Sequence, residues 1–163
     1  MPDAFDAALA ALNGWLDLPQ PVTLPDGIAV SFERTRRYSS EQLAAFEHDR
    51  CVRFPDTYRR FLVTVGAGEF FVERGSGVVV HDAQDVPHVM TLAGLPPASP
   101  LWLAVSSVRS GEFGGFDLTR PEPNFAVFLP DVPTDVWLDE VDEWQSFSTW
   151  VTRLVASRGE MLH

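Results

Sequence analysis

Two histidines and two aspartates fall within eight residues, in HDAQDVPH at 81–88. His81, Asp82, Asp85 and His88 are residue types that ligate zinc or carry acid–base chemistry. The spacing argues against that use. An i, i+7 histidine pair in a proline-containing loop matches no zinc pattern, and no third histidine stands near it. The remaining histidines, His48 and His163, have no obvious partner. The stretch therefore reads as a polar turn.

The glycines of VGAGEF (65–70) pose the next question, because glycines beside a helix often cradle phosphate. Such cradles follow a strand and open a helix. Here the order is helix, glycines, strand, and the negative end of a helix dipole disfavours an anion. Gly66 reads as a helix stop and Gly68 as the turn into the next strand. Nucleophiles are no more promising. There is no GxSxG, HExxH or EF-hand loop, and Ser106, Ser107 and Ser110 have no histidine close in sequence. Cys51 is the single cysteine, in the stretch CVRF with Val52 and Phe54 after it, and reads as a packed side chain. It excludes an internal disulfide and a cysteine-cluster metal site. All twelve basic residues are arginine, which removes Schiff-base and phosphate-loop lysine chemistry. No cofactor is expected, and no carboxylate pair stands out for hydrolysis.

One stretch suits recognition better than catalysis. Asp131, Asp135, Asp139, Glu140, Asp142 and Glu143 lie within thirteen residues that contain no base, with Trp137 and Trp144 among or beside them. Acids interleaved with tryptophan provide charge for steering and aromatic area for anchoring. Asp131, Asp135, Trp137, Asp139, Glu140, Asp142 and Glu143 are the candidate contacts for a partner. The competing reading is a solvated acidic loop whose tryptophans cover the core edge. Trp144, beside the last helix, fits that second role.

The charge balance agrees with a protein partner. The net charge is −11, with −3 in residues 1–80 and −8 in residues 81–163. Such a chain repels phosphates and is a poor nucleic-acid binder. It would be steered toward a basic protein. No apolar run is long enough for a membrane span, and the N-terminus carries acids where a secretory signal carries bases. A cytoplasmic location is expected. With 45% hydrophobic residues, 12 Phe and 5 Trp, 163 residues suit one folded domain, 1–163.

The elements that would position these residues can be read from periodicity. Residues 3–17 have a helical stripe at Phe5, Leu9, Leu12 and Leu16, capped by Asp3. LPQPVTLPDG is a connection, and IAVSFER (28–34) alternates as a strand. Ser39 and Gln42 have capping-box spacing. Pro55 suits the first position of a helix whose stripe is Tyr58, Phe61, Leu62 and Val65, with Arg59 and Arg60 facing outward. EFFVERG and GVVVHD read as paired strands, followed by strands in LWLAVSS, GEFGGFDL and NFAVFLP. Alternation in VWLDEVDEW (136–144) favours another strand. Ser146 caps a last helix with Phe147, Trp150, Val151, Leu154 and Val155 on one face. Close strand spacing favours antiparallel pairing. The expected fold is α+β, a mainly antiparallel twisted sheet with helices on one face and at both termini.

FPDTYRRFL (54–62) resembles the LP-x-x-Y-x-x-F-L helix of the SUKH superfamily, the immunity-protein group that includes the yeast cell-wall synthesis regulators. SFSTWV (146–151) resembles its C-terminal Ser-Phe-x-x-Trp helix, and GEFGGFDL and NFAVFLPD resemble its paired strands. The likeness spans residues 54–155, with residues 1–38 as an extension. Phe54 stands for the family's Leu, and VGAGE for its Asn-Gly-Gly turn. The resemblance implies a non-enzymatic domain that neutralises a toxin, often a nuclease, by binding it. Its signature residues here are Pro55, Tyr58, Phe61, Leu62, Gly66, Phe147 and Trp150, with packing roles. The alternatives are a cytoplasmic regulatory or scaffold module without a toxin, and a hydrolase or metalloprotein using His81 and His88.

Overall fold

A computed structural model describes residues 2–160, so His163 lies outside the described residues. Five helices and seven strands follow one another. They are α1 (Ala4–Leu16), β1 (Val22–Thr23), β2 (Ala29–Arg36), α2 (Ser40–Arg50), α3 (Asp56–Thr64), β3 (Ala67–Glu73) and β4 (Ser76–Val80). Then come α4 (Val86–Leu92), β5 (Leu101–Ser107), β6 (Phe113–Asp117), β7 (Phe125–Phe128), a 3-10 turn (Thr134–Val136) and α5 (Phe147–Ala156). The strands form one sheet in the order β1 to β7, each antiparallel to the next. This is the expected α+β architecture.

The caps behave as their residue types dictate. Asp3 accepts from the Asp6 N–H, Ser39 and Gln42 close a capping box, and Ser146 accepts from the Thr149 N–H. Pro55 sits one position earlier than expected, as N-cap of α3, because its extended ψ of 146° lies outside the helix. Gly66 ends α3 with φ +96°, and its N–H donates to the Phe61 carbonyl at 3.0 Å. A Cβ at Gly66 or Gly68 would collide with the carbonyls of Arg36 or Glu33. Both glycines therefore let β2 and β3 approach closely, and neither cradles a ligand.

The main core lies between the sheet and α1, α2, α3 and α5. Tyr58, Phe61, Leu62, Phe147 and Trp150 are all buried there. The N-terminal extension belongs to this core, since α1 buries Phe5, Leu9 and Leu12 and packs on α5. Arg34 ties it down, donating to the Val65 carbonyl at 2.6 Å and to Asn13 Oδ1 at 2.8 Å. Arg60 pairs with Asp6. Arg59 does not simply face water. It grips Glu47 of α2 through Nε at 3.0 Å and Nη2 at 2.9 Å, a two-pronged geometry that only arginine offers.

A second, smaller core occupies the other face of β5–β7. Leu101, Leu103, Ala126 and Phe128 point there, and Trp137 covers them. Alternation in β5 explains the division, since Trp102 and Ala104 join the main core while Leu101 and Leu103 join the second. The short helix α4 begins against the main core at Val86, and Val89 and Ala93 reach the second.

Candidate protein-binding surface

Residues 131–144 form a lobe over the second core. The strand expected at 136–144 is absent. Its backbone needs are met locally, because the N–H groups of Asp139 and Glu140 both donate to the Val136 carbonyl at 3.0 Å. Only Gln145 reaches the sheet, exchanging two hydrogen bonds of 2.9 Å with Phe125.

Trp137 is 3% exposed, so it is not a contact on the surface. Its ring stacks on Phe128 with centroids 5.0 Å apart, and Nε1–H donates to the Val132 carbonyl at 2.8 Å. Burying the indole with its one donor satisfied anchors the loop from inside. Trp144 is half-buried, edge-on to Phe128 and covered by the Arg120 guanidinium 4.5 Å from its ring. The six candidate acids, Asp131, Asp135, Asp139, Glu140, Asp142 and Glu143, are all exposed on this lobe. Leu129 and Leu138 are exposed beside them. Thr134 Oγ1 donates to the Gly94 carbonyl at 3.3 Å and fastens the lobe to the segment after α4.

The histidine stretch does not assemble into a metal site. Asp82 is occupied at the end of β2, where it accepts from the Tyr38 hydroxyl and pairs with Arg36 at 3.5 Å. Arg36 also lies 4.4 Å above the Tyr38 ring. Burial, and then the Asp82 hydrogen bond, push the Tyr38 phenol well above its ordinary range. His88 and Asp85 are exposed, on and just before α4. Among the described residues no three histidine, cysteine or acidic side chains are placed to hold a metal ion.

One pairing escaped the sequence reading. His81 Nε2 lies 2.9 Å from Ser106 Oγ, across twenty-five residues. Antiparallel pairing of β4 with β5, with Val79 opposite Ser106, puts His81 diagonal to that serine on one face. The strand pairing, and no local motif, is the signal that would have found it. The pair links the two strands, and no hydrogen bond to the other His81 ring nitrogen occurs among the described residues. Cys51 departs from expectation too. It is exposed, because it closes α2 in the left-handed conformation at φ 52° and its side chain turns outward.

The fold and lobe together define a class, an antiparallel α+β meander with an acidic, non-strand surface segment. No family model matches the chain, and no solved structure matches it. Over 158 residues the chain is 29% identical to Immunity protein RhsIB of Dickeya dadantii (strain 3937). The similarity covers 93% of this chain and 95% of that protein. It therefore spans nearly the whole chain and is not confined to one motif.

Proposed function

We propose that this chain is an immunity protein that binds a cognate protein toxin and neutralises it, without performing chemistry of its own. The observation that carries this is the near full-length similarity to an immunity protein. The exposed acids of 131–143 support binding through charge. The ordered SUKH-like segments, 54–62, the paired strands and 146–151, support membership of that superfamily. Their signature side chains are buried in the main core, which suits packing roles.

An acidic inhibitor suits a basic toxin, and a nuclease carries a basic face for its own substrate. The proposed partner is of that type, met in the cytoplasm, with the lobe acids lying against its cationic residues. No helix among the described residues is long and apolar enough to cross a membrane. The test is co-expression with the toxic domain encoded by the adjacent upstream gene. Growth should be rescued by this chain and not by an empty vector. A toxic neighbour left unrescued would overturn the reading.

A further inference from the structure

The sheet ends at β7, and the outer edge of that strand is only partly covered. Phe125 turns its N–H and C=O outward, where Gln145 takes both at 2.9 Å. Antiparallel alternation turns Val127 outward as well, because Ala126 and Phe128 are the residues directed at β6. Val127 has no main-chain hydrogen bond across this edge among the described residues, and the Leu129 N–H beyond it has none either. The segment that would have continued the ladder from Gln145 peels away into the acidic lobe. It leaves a cavity of about 420 Å³ between β7 and residues 140–143.

The walls state what would fit. Val127, Leu129, Val132 and Val141 give the cavity an apolar lining. Glu140, Asp142 and Glu143 supply three carboxylates along it. The one cation there, Arg153 of α5, is engaged with Gln145 Oε1 at 3.2 Å. Unpaired strand edges are liabilities that proteins ordinarily block. A second copy of this chain, with net charge −11, is repelled by those acids.

We infer that the open edge of β7 receives an extended basic segment of a protein partner, which adds as a further strand at Val127 and Leu129. The inference deepens the toxin-binding reading and rests on it for the partner's identity. Main-chain hydrogen bonds continue the rung begun by Gln145, and the partner's alternate side chains divide between the apolar lining and the acids. Apolar and basic residues alternating in the partner meet both requirements.

The probe is a synthetic octapeptide of alternating arginine and valine, added to the full chain. Hydrogen exchange at the Val127 and Leu129 amides should slow on binding. Val127→Pro removes the outward N–H at an edge position where proline is tolerated. It should bind the peptide at least about tenfold more weakly, while Val127→Ala, which keeps the N–H, should bind nearly as well as wild type. A glutamate–valine octapeptide should not bind. The inference is overturned by Val127→Pro binding like wild type, or by both variants losing affinity equally. Binding that leaves the Val127 amide exchange unchanged overturns it too, as does no binding at millimolar peptide. Should Val127→Pro fail to fold, the exchange measurement on wild type decides. The toxin rescue assay fails or succeeds independently. Peptide addition at β7 without rescue would keep this edge site and remove the toxin as its occupant.

Discussion

On the helical side of the sheet, the Phe147 ring lies against Tyr58, Phe61, Phe116, Phe125 and Trp150. On the far side, Trp137 has Phe128 and Phe113. The first set joins residues from four elements, α3, β6, β7 and α5, with α3 distant in the chain from the other three, so removing its centre loosens all of them. The second holds a single loop to the end of the sheet. Aromatic packing is used in one place to make the fold and in the other to display a surface. Substitutions on the two sides should therefore differ in what they cost to folding.

The largest cost is expected at Phe147. Phe147→Ala leaves a cavity amid those rings and should destabilise the protein by about 3–5 kcal/mol. Urea unfolding would show one earlier transition for the whole chain. A loss of under about 1 kcal/mol would break the comparison, because it would make the main core as dispensable as a surface.

Trp137→Ala should cost less, about 2–3 kcal/mol, because its cluster is smaller and borders solvent. The loss should also be local. Amides of 131–144 should exchange faster, while those of α3 and α5 keep their protection. Uniform loss of protection would mean that the lobe is part of the cooperative core.

The two sides also differ in how far the sequence revealed them. The helical side was legible because its signals agree. α3 and α5 have a cap or proline at the start, a stripe at helical spacing and a glycine after the end. Of the four strands expected after residue 100, the first three appear, LWLAVSS with its expected bounds. The far side was not. α4 has seven residues, with Pro87 in its first turn and polar residues before it, too short for a periodicity to emerge. The stretch 136–144 alternates like a strand, yet Trp137 turns inward and its neighbours bond to Val136. Alternation predicts a strand only where the backbone lacks nearer partners. The acids themselves were found correctly as a surface group, since charge resists burial wherever the backbone goes.

His81 lies between these extremes, half-buried just beyond β4 and beside Ser106. Burial holds its imidazole below the ordinary histidine range, and Asp85 partly opposes that. The unfolded chain thus binds this proton more readily than the folded one. The stabilisation is complete above the unfolded value of about 6.5 and declines as pH falls through it. His81→Gln can retain a hydrogen bond to Ser106 without titrating. Its urea midpoint should change less than that of wild type between pH about 7 and about 5. Equal slopes would show that other groups govern this window.

The smallest effect on folding should come from the acids, and there the comparison is sharpest. Asp139 and Glu140 are exposed and pair with no arginine among the described residues. Reversing both, Asp139→Arg with Glu140→Arg, should move stability by no more than about 0.5 kcal/mol. Against the proposed basic partner, the same change would replace attraction with repulsion. Binding to the toxic domain should weaken most at low salt, and the difference from wild type should shrink as salt screens the charges. Calorimetry of the complex at two ionic strengths would read both quantities. A loss of affinity that ignores salt would assign these residues to packing, and an unfolded variant would remove the distinction between a side that folds and a side that binds.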